Sequence, residues 1–298
     1  MNNLNKTSYK TSDKTRFAKT AKLIKNIGRL IKDGIPGMLT DVPLITVHTI
    51  PGLVMRSINK WKKLIDNKEM PLVVLIHGTS VSSWQWGVVE QYLRNHNLES
   101  GVVDYDYTQD ITVSVDDVKQ QILELCKKRK HKKVVLVGHS QGGLISRLIY
   151  NTGLNEIKIE QNYSLHAPQL GAEIAKVRND VIVSLGKIPS CSAYDMEPNS
   201  KFVTYYTNTC TDTDSFLMTG SMDFVKQESA LWGQKDEDKI YRSKLGHYYP
   251  AVNYNLWVKF IIPNIKKSCS KVEKNCDNSV DVDIESNSDF VHDSNTSI

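Results

Sequence analysis

From residue 70 onward, short unbroken apolar runs alternate with stretches in which apolar residues recur every three or four positions. The run PLVVLIHG (71–78) has the pattern of a strand buried on both faces. KVVLVG (133–138) repeats it. GVVDYDY (101–107), KIEQNYSLHA (158–167) and SFLMTGS (215–221) supply three further strand candidates. Helical spacing marks 84–95, 144–150 and a stretch in which Val115, Val118, Ile122 and Leu125 share a face. That last helix opens on a Ser114–Asp117 capping-box pattern and closes on Lys127, Lys128, Arg129 and Lys130, as its dipole favours. Val252, Leu256, Phe260 and Ile261 give a final amphipathic helix with Pro250 near its start. Strands interleaved with helices predict an α/β domain around a mostly parallel sheet. The stretch 172–210 lacks sheet periodicity and has two readings: a small lid over a site, or simple packing.

The flanks differ from this centre. Residues 1–15 are polar and rich in Lys, Asn and Thr, which predicts disorder. Phe17, Leu23, Ile24, Ile27, Leu30 and Ile31 then recur at helical spacing, with Lys19, Lys22, Lys25, Arg29 and Lys32 mostly opposite. This basic amphipathic segment has two readings, contact of 17–35 with an anionic membrane surface or packing on the main domain. Residues 268–298 are rich in Ser, Asn and Asp without periodicity and are expected to be disordered.

Charge sharpens the division. The net +5 of the 298 residues splits into +10 over 1–68, −5 over 268–298 and a neutral centre. That distribution does not describe a nucleic-acid binder, which needs its basic charge on a folded face. No apolar run reaches the length of a bilayer span. The first residues show no apolar signal region, which predicts a cytoplasmic setting, with membrane attachment at most peripheral. The five cysteines are scattered with no CxxC, as expected of reduced thiols; a Cys191–Cys210 disulfide is left for an oxidising compartment.

The chemistry concentrates in Val134–Gly143, VVLVGHSQGG. It is G-x-S-x-G between a buried strand and a helix. A tight turn there presents the Ser140 hydroxyl outward, and Gly138 and Gly142 remove side chains that would clash. A serine near neutral pH needs a base, and the base an orienting acid. In this arrangement the acid and then the histidine follow downstream. Of eight histidines, His48, His77 and His96 precede the serine, and His131 lies in a Lys-rich turn. His139 is inside the elbow, His166 ends a strand and His292 lies in the tail. His247, in a loop before the last helix, remains as the base. Asp223, just past the 215–221 strand, is the acid, with Glu228 as competitor. Asp195, Asp212 and Asp214 lie in an earlier loop or before the strand. An oxyanion needs two backbone N–H donors. Gln141, after the nucleophile, and Thr79, in the loop after the first buried strand, would supply them. His77 braces that loop.

Over roughly 70–265 the chain resembles α/β-hydrolase-fold proteins of the lipase/esterase type. The likeness rests on Leu75-Ile76-His77-Gly78-Thr79, Trp84, the 115–130 helix and VGHSQGGLISR (137–147). It continues through Ala167-Pro168-Gln169-Leu170-Gly171, Tyr194–Ser200, Gly220–Asp223 and Leu245-Gly246-His247. Many relatives carry Asp-Gly-Val-Val-Pro at the acid; here a bulky Phe224 follows Asp223 and narrows the pocket.

The resemblance implies an α/β-hydrolase domain at 69–267, a mostly parallel sheet flanked by helices, and ester hydrolysis through an acyl-enzyme. The partner is then a small-molecule or lipid ester, with no nucleic acid. No cofactor or metal is expected, and neither H-E-x-x-H nor a P-loop occurs. Three rivals stand beside this: an acyltransferase on the same residues, a catalytically silent binding protein, and a membrane-recruited interaction protein working through the basic helix.

Overall fold

The computed structural model describes residues 67–277 except Leu245, together with 54–56, 58 and 65. The expectations for 1–15, for most of 16–68 including membrane contact by 17–35, and for the tail beyond 277 lie outside the described residues.

Six strands form one all-parallel sheet: β1 (Leu72–Ile76), β2 (Ser100–Val103), β3 (Lys133–His139), β4 (Lys158–Leu165), β5 (Phe216–Gly220) and β6 (Ile240–Ser243). Their order is β2-β1-β3-β4-β5-β6. Val74 of β1 sits between Gly101 and Leu136. All five β1 residues are fully buried. Each such aliphatic side chain contributes about 1.5–3 kcal/mol relative to exposure. From β1 the chain steps outward to β2, then returns past β1 to β3 and runs the other way. The loops after β1 and β3 therefore diverge, and the crevice between them is where open parallel sheets hold ligands.

Alternate strand residues feed two cores, which is why the strands read as unbroken apolar runs. Leu72, Val74, Ile76, Val134 and Leu136 pack with α2 (Ile111–Arg129) and α3 (Gln141–Thr152). Val73, Leu75, Val135 and Val137 pack with α1 (Gly87–Asn95) and the C-terminal segment on the opposite face. There Trp86 meets Trp257 edge to face, with centroids 6.1 Å apart.

Three details depart from the sequence pattern. First, α2 starts at Ile111, because Asp110 caps it through Thr112 N at 3.2 Å. Ser114 is buried within the helix and its hydroxyl donates back to Asp110 O at 3.2 Å. Second, β6 was not anticipated: IYRS is short, lies on the sheet edge and carries no apolar run. Third, the C-terminal helix starts with a π-helical turn at Leu256–Ile261 and continues as a long α-helix through Asp277. The expected disorder from 268 is thus corrected over its first ten residues, since 268–277 prolongs a helix that is anchored by Ile261, Ile262 and Ile265.

Between β4 and β5 lie α4 (Glu173–Ser184), α5 (Cys191–Asp195) and α6 (Lys201–Thr209). Cys191 and Cys210 in this region are both free thiols. Two further α-helices complete the order, the short α7 (Gln227–Ala230) after β5 and the long α8 (Ile262–Asp277). Among the described residues, no helix is long and apolar enough to cross a membrane.

One buried ion pair locks α3 to the strands beyond it. Arg147, 1% exposed, donates from Nε to Asp212 Oδ2 at 2.9 Å and from Nη2 to Asp212 O at 2.8 Å. Its Nη1 reaches Trp232 O at 2.9 Å and Gln169 Oε1. Burial works against charge on Asp212, but Arg147, Asn151 and Ser215 N–H hold its carboxyl below the usual range. Arg147→Met strands that carboxylate and should lower the unfolding free energy by about 3–5 kcal/mol in urea titration; a loss under about 1 kcal/mol would show the pair to be dispensable.

Candidate active site

β3 hands over to α3 at Ser140, whose backbone has φ 55° and ψ −122°. That is a strained region for an L-residue. The turn closes because Ser140 N–H donates to Leu165 O at 2.8 Å and Gly143 N–H to Ser140 O at 2.9 Å. Nothing larger than glycine fits beside it. A Cβ on Gly138 would stand 2.0 Å from Gly142 O, and one on Gly142 would stand 2.3 Å from His77 O.

The loop after β1 lies against this elbow. Thr79 Oγ1 donates to Gln141 Oε1 at 2.7 Å, and Gln141 Nε2 donates to Tyr107 O at 3.3 Å. Neither backbone N–H, of Thr79 or of Gln141, enters a hydrogen bond among the described residues. Gln141 is the first residue of α3, where N–H groups have no partner one turn back. His77 braces the loop. Its Nδ1–H donates to Gly78 O at 2.9 Å, its Nε2 accepts from Tyr105 N–H at 3.3 Å, and its ring stacks on Tyr105 at 4.4 Å.

Asp223 follows β5, and its carboxylate is fully buried between two histidines. Oδ1 accepts from His247 Nδ1–H at 2.9 Å and from Val225 N–H at 2.8 Å. Oδ2 faces His166 Nδ1. Burial tends to raise the Asp223 pKa, yet His247 and His166 outweigh it and hold the acid far below the usual carboxylate range. The other acids lie away from His247. Glu228 is exposed, Asp195 accepts from Ile111 N–H at 2.9 Å, and Asp214 pairs with Lys239 at 2.8 Å.

His166 is the residue sequence order missed. It directly follows β4 with a left-handed backbone, φ 54°, and is fully buried. His139 is a second support. Its Nε2–H donates to His247 O at 2.7 Å, and its Nδ1 accepts from Gln85 Nε2 at 3.0 Å. It therefore fixes the main chain of the His247 loop. Trp257 Nε1–H adds a bond to Pro250 O at 2.8 Å. Phe224 covers the His247 ring with centroids 4.1 Å apart. The ligating atoms of His166, Asp223 and His247 lie within 4.8 Å of one another, a set that could hold a metal ion. The Nδ1 atoms of both histidines already face the carboxylate.

Ser140 and His247 border one cavity of about 280 Å³. No hydrogen bond joins them among the described residues; such bonds commonly tighten only when substrate binds. Thr79, Pro168, Ala172, Ile174, Ala175, Met196, Phe224 and Val225 give the cavity a mostly apolar wall. The arrangement offers an outward hydroxyl, an imidazole oriented by a carboxylate, two unused N–H donors and an apolar recess.

A family model described as palmitoyl protein thioesterase matches residues 72–231, just over half of the chain. No curated protein matches. Among solved structures, the mature lipase BlEst2 of Bacillus licheniformis is 18% identical, covering 67% of this chain and 93% of that one, with a TM-score of 0.49. Est1E from Butyrivibrio proteoclasticus is 16% identical over 70% of this chain and 90% of its own, with a TM-score of 0.46. A Pyrococcus furiosus esterase is 16% identical over 70% and 83%, with a TM-score of 0.45. The parallel sheet, the elbow and the family match together identify the α/β-hydrolase fold of the lipase/esterase type.

The buried histidines set a pH dependence. Burial lowers the His77 pKa, against opposing pulls from the Gly78 carbonyl and Asp104. Burial lowers that of His139 further, reinforced by His247 and His166. Both pKa values fall on folding, so below about pH 6.5 the unfolded chain binds protons that the folded one refuses. Their stabilising contribution is complete above that pH and drains away below it, by up to about 1.4 kcal/mol per pH unit for each ring. Urea unfolding at pH 7.5, 6.5 and 5.5 should show this fall, and His77→Phe, which keeps a ring against Tyr105, should remove the His77 share and leave that of His139. A pH-independent midpoint would contradict the burial argument.

Proposed function

Because this chain belongs to the palmitoyl protein thioesterase family, we propose that it is a serine hydrolase that cleaves carboxylic esters or thioesters through an acyl-enzyme. The observation that carries the proposal is the shared cavity of Ser140 and His247, with His247 held to the buried Asp223.

Ser140 Oγ attacks the acyl carbonyl while His247 Nε2 takes its proton. The Nδ1–H of His247 stays on Asp223 Oδ1, which fixes the tautomer and stabilises the imidazolium. Negative charge on the carbonyl oxygen is received by the N–H groups of Thr79 and Gln141. As the bond to the leaving alcohol or thiol breaks, His247 returns the proton to it. A water molecule then gives a proton to His247 and attacks the acyl carbon, releasing the carboxylic acid and restoring Ser140. His166 is a positioning residue: by holding Oδ2 it leaves Oδ1 aimed at His247. The α4–α6 segment, within 172–210, forms the cap of the site. Ala172, Ile174, Ala175 and Met196 are its apolar contribution to the cavity wall and receive the acyl chain.

A fluorophosphonate probe should label Ser140 in the folded protein, and 4-nitrophenyl esters of increasing chain length should report turnover. Ser140→Ala and His247→Ala should each lower kcat by at least about 10³-fold. Undiminished turnover in Ser140→Ala would defeat the assignment.

A further inference from the structure

α4 turns Ile174, Ala175 and Arg178 toward the Ser140 cavity. Positions 174 and 178 are one helical turn apart, so they share a face. The neighbouring Asn179 fixes the rotation of that helix. Its Nδ2 donates to Ala193 O at 2.8 Å and to Glu197 Oε1 at 2.9 Å. The one cationic side chain on this largely apolar wall is therefore held in place by its own backbone.

Half-buried Arg178 is not satisfied as the buried Arg147 is. Arg147 meets Asp212, Gln169 and Trp232. Arg178 Nε is buried with no hydrogen-bond partner. Among the described residues, no carboxylate lies within ion-pair distance of Arg178. Burial lowers its pKa, and the Tyr248 phenol is the titratable group that acts on it. A guanidinium carries five N–H donors and remains charged in proteins. Leaving its buried Nε–H unpaired is costly, and its planar fork matches carboxylate and phosphate oxygens.

We propose that Arg178 binds an anionic group, a carboxylate or a phosphate, that the substrate carries near its scissile bond. The inference rests on the reading of the Ser140 cavity as the site of acyl cleavage. It narrows the substrate class from apolar esters to acyl esters or thioesters bearing negative charge.

The charge could sit on either side of the bond, and kinetics separate the two. The comparison uses neutral 4-nitrophenyl butyrate, 4-nitrophenyl hemiglutarate with its carboxylate on the acyl side, and 3-carboxy-4-nitrophenyl butyrate with its carboxylate on the leaving group. One anionic ester should exceed the neutral one in kcat/KM by about tenfold or more. Arg178→Gln should bring that ratio to about one and Arg178→Lys should keep part of it. Arg178→Glu should favour an ester bearing a trimethylammonium group. A ratio unchanged by Arg178→Gln, or near one in the wild type, overturns the proposal.

Binding supplies a readout without turnover. Hexanoate and hexyl phosphate, but not hexanol, should raise the wild-type Tm, and Arg178→Gln should abolish the rise. Absent or equal shifts overturn the anion site. Arg178-dependent shifts in a protein that cleaves none of the esters would keep the anion site and refute the hydrolase reading.

Discussion

The constraint beneath the whole arrangement is the backbone of Ser140. An L-residue at φ 55° and ψ −122° costs on the order of 1–3 kcal/mol, and it persists only where its surroundings leave no alternative. Here they leave none. β3 is clamped between β1 and β4, α3 is packed against the sheet through Leu144, Ile145, Leu148 and Ile149, and the link between them is one residue. Gly138 and Gly142 make contacts too close for any side chain. The strain is thus carried by the same burial that stabilises the sheet, and it sets the hydroxyl at the open end of the crevice between diverging loops.

A second constraint acts on the far side of the cavity. His247 belongs to no regular element, and a loop does not hold an imidazole in one orientation without help. Three independent attachments supply it. Asp223 takes Nδ1, His139 takes the main-chain carbonyl, and Phe224 covers the ring. Because His139 precedes Ser140 directly, the loop bearing the imidazole is tied to the elbow bearing the hydroxyl. Asp223 is fixed in turn by Val225 N–H and His166. A buried carboxylate flanked on both oxygens stays ionised at low cost, since each side supplies a donor in place of water.

How much of this is legible in the chain depends on whether the signal is local. β1 and β3 announce themselves as unbroken apolar runs because helices cover both sheet faces. β6 does not, since an edge strand needs no such run and IYRS has none. The elbow is legible because one turn demands glycines at fixed offsets from the serine. Chain order then singles out Asp223 and His247, which the structure joins by a hydrogen bond. His166 and Arg178 escape for the opposite reason. A histidine ending a strand and an arginine in a helix are ordinary in sequence; their meaning comes from what faces them, and that is set by β5 and by the packing of α4. The start of α2 shows the same limit on a smaller scale. Asp110 and Ser114 both suit a helix terminus, and burial of Ser114 decides between them.

The cavity wall has two origins, and they imply a division of labour. Ser140, Phe224, Val225 and His247 come from the turns and loops that follow β3, β5 and β6. Ala172, Ile174, Ala175, Arg178 and Met196 come from the helical stretch between β4 and β5. That stretch is held to the sheet domain through separable contacts, such as Asp195 on Ile111 N–H and Ser192 on Tyr107 O. Arg178, which belongs to neither hydrophobic core, can therefore change the charge of the cavity without altering the packing of the elbow helix. The strained turn thus stays with the sheet, while the shape and charge of the cavity wall are set in part by the helical stretch between β4 and β5.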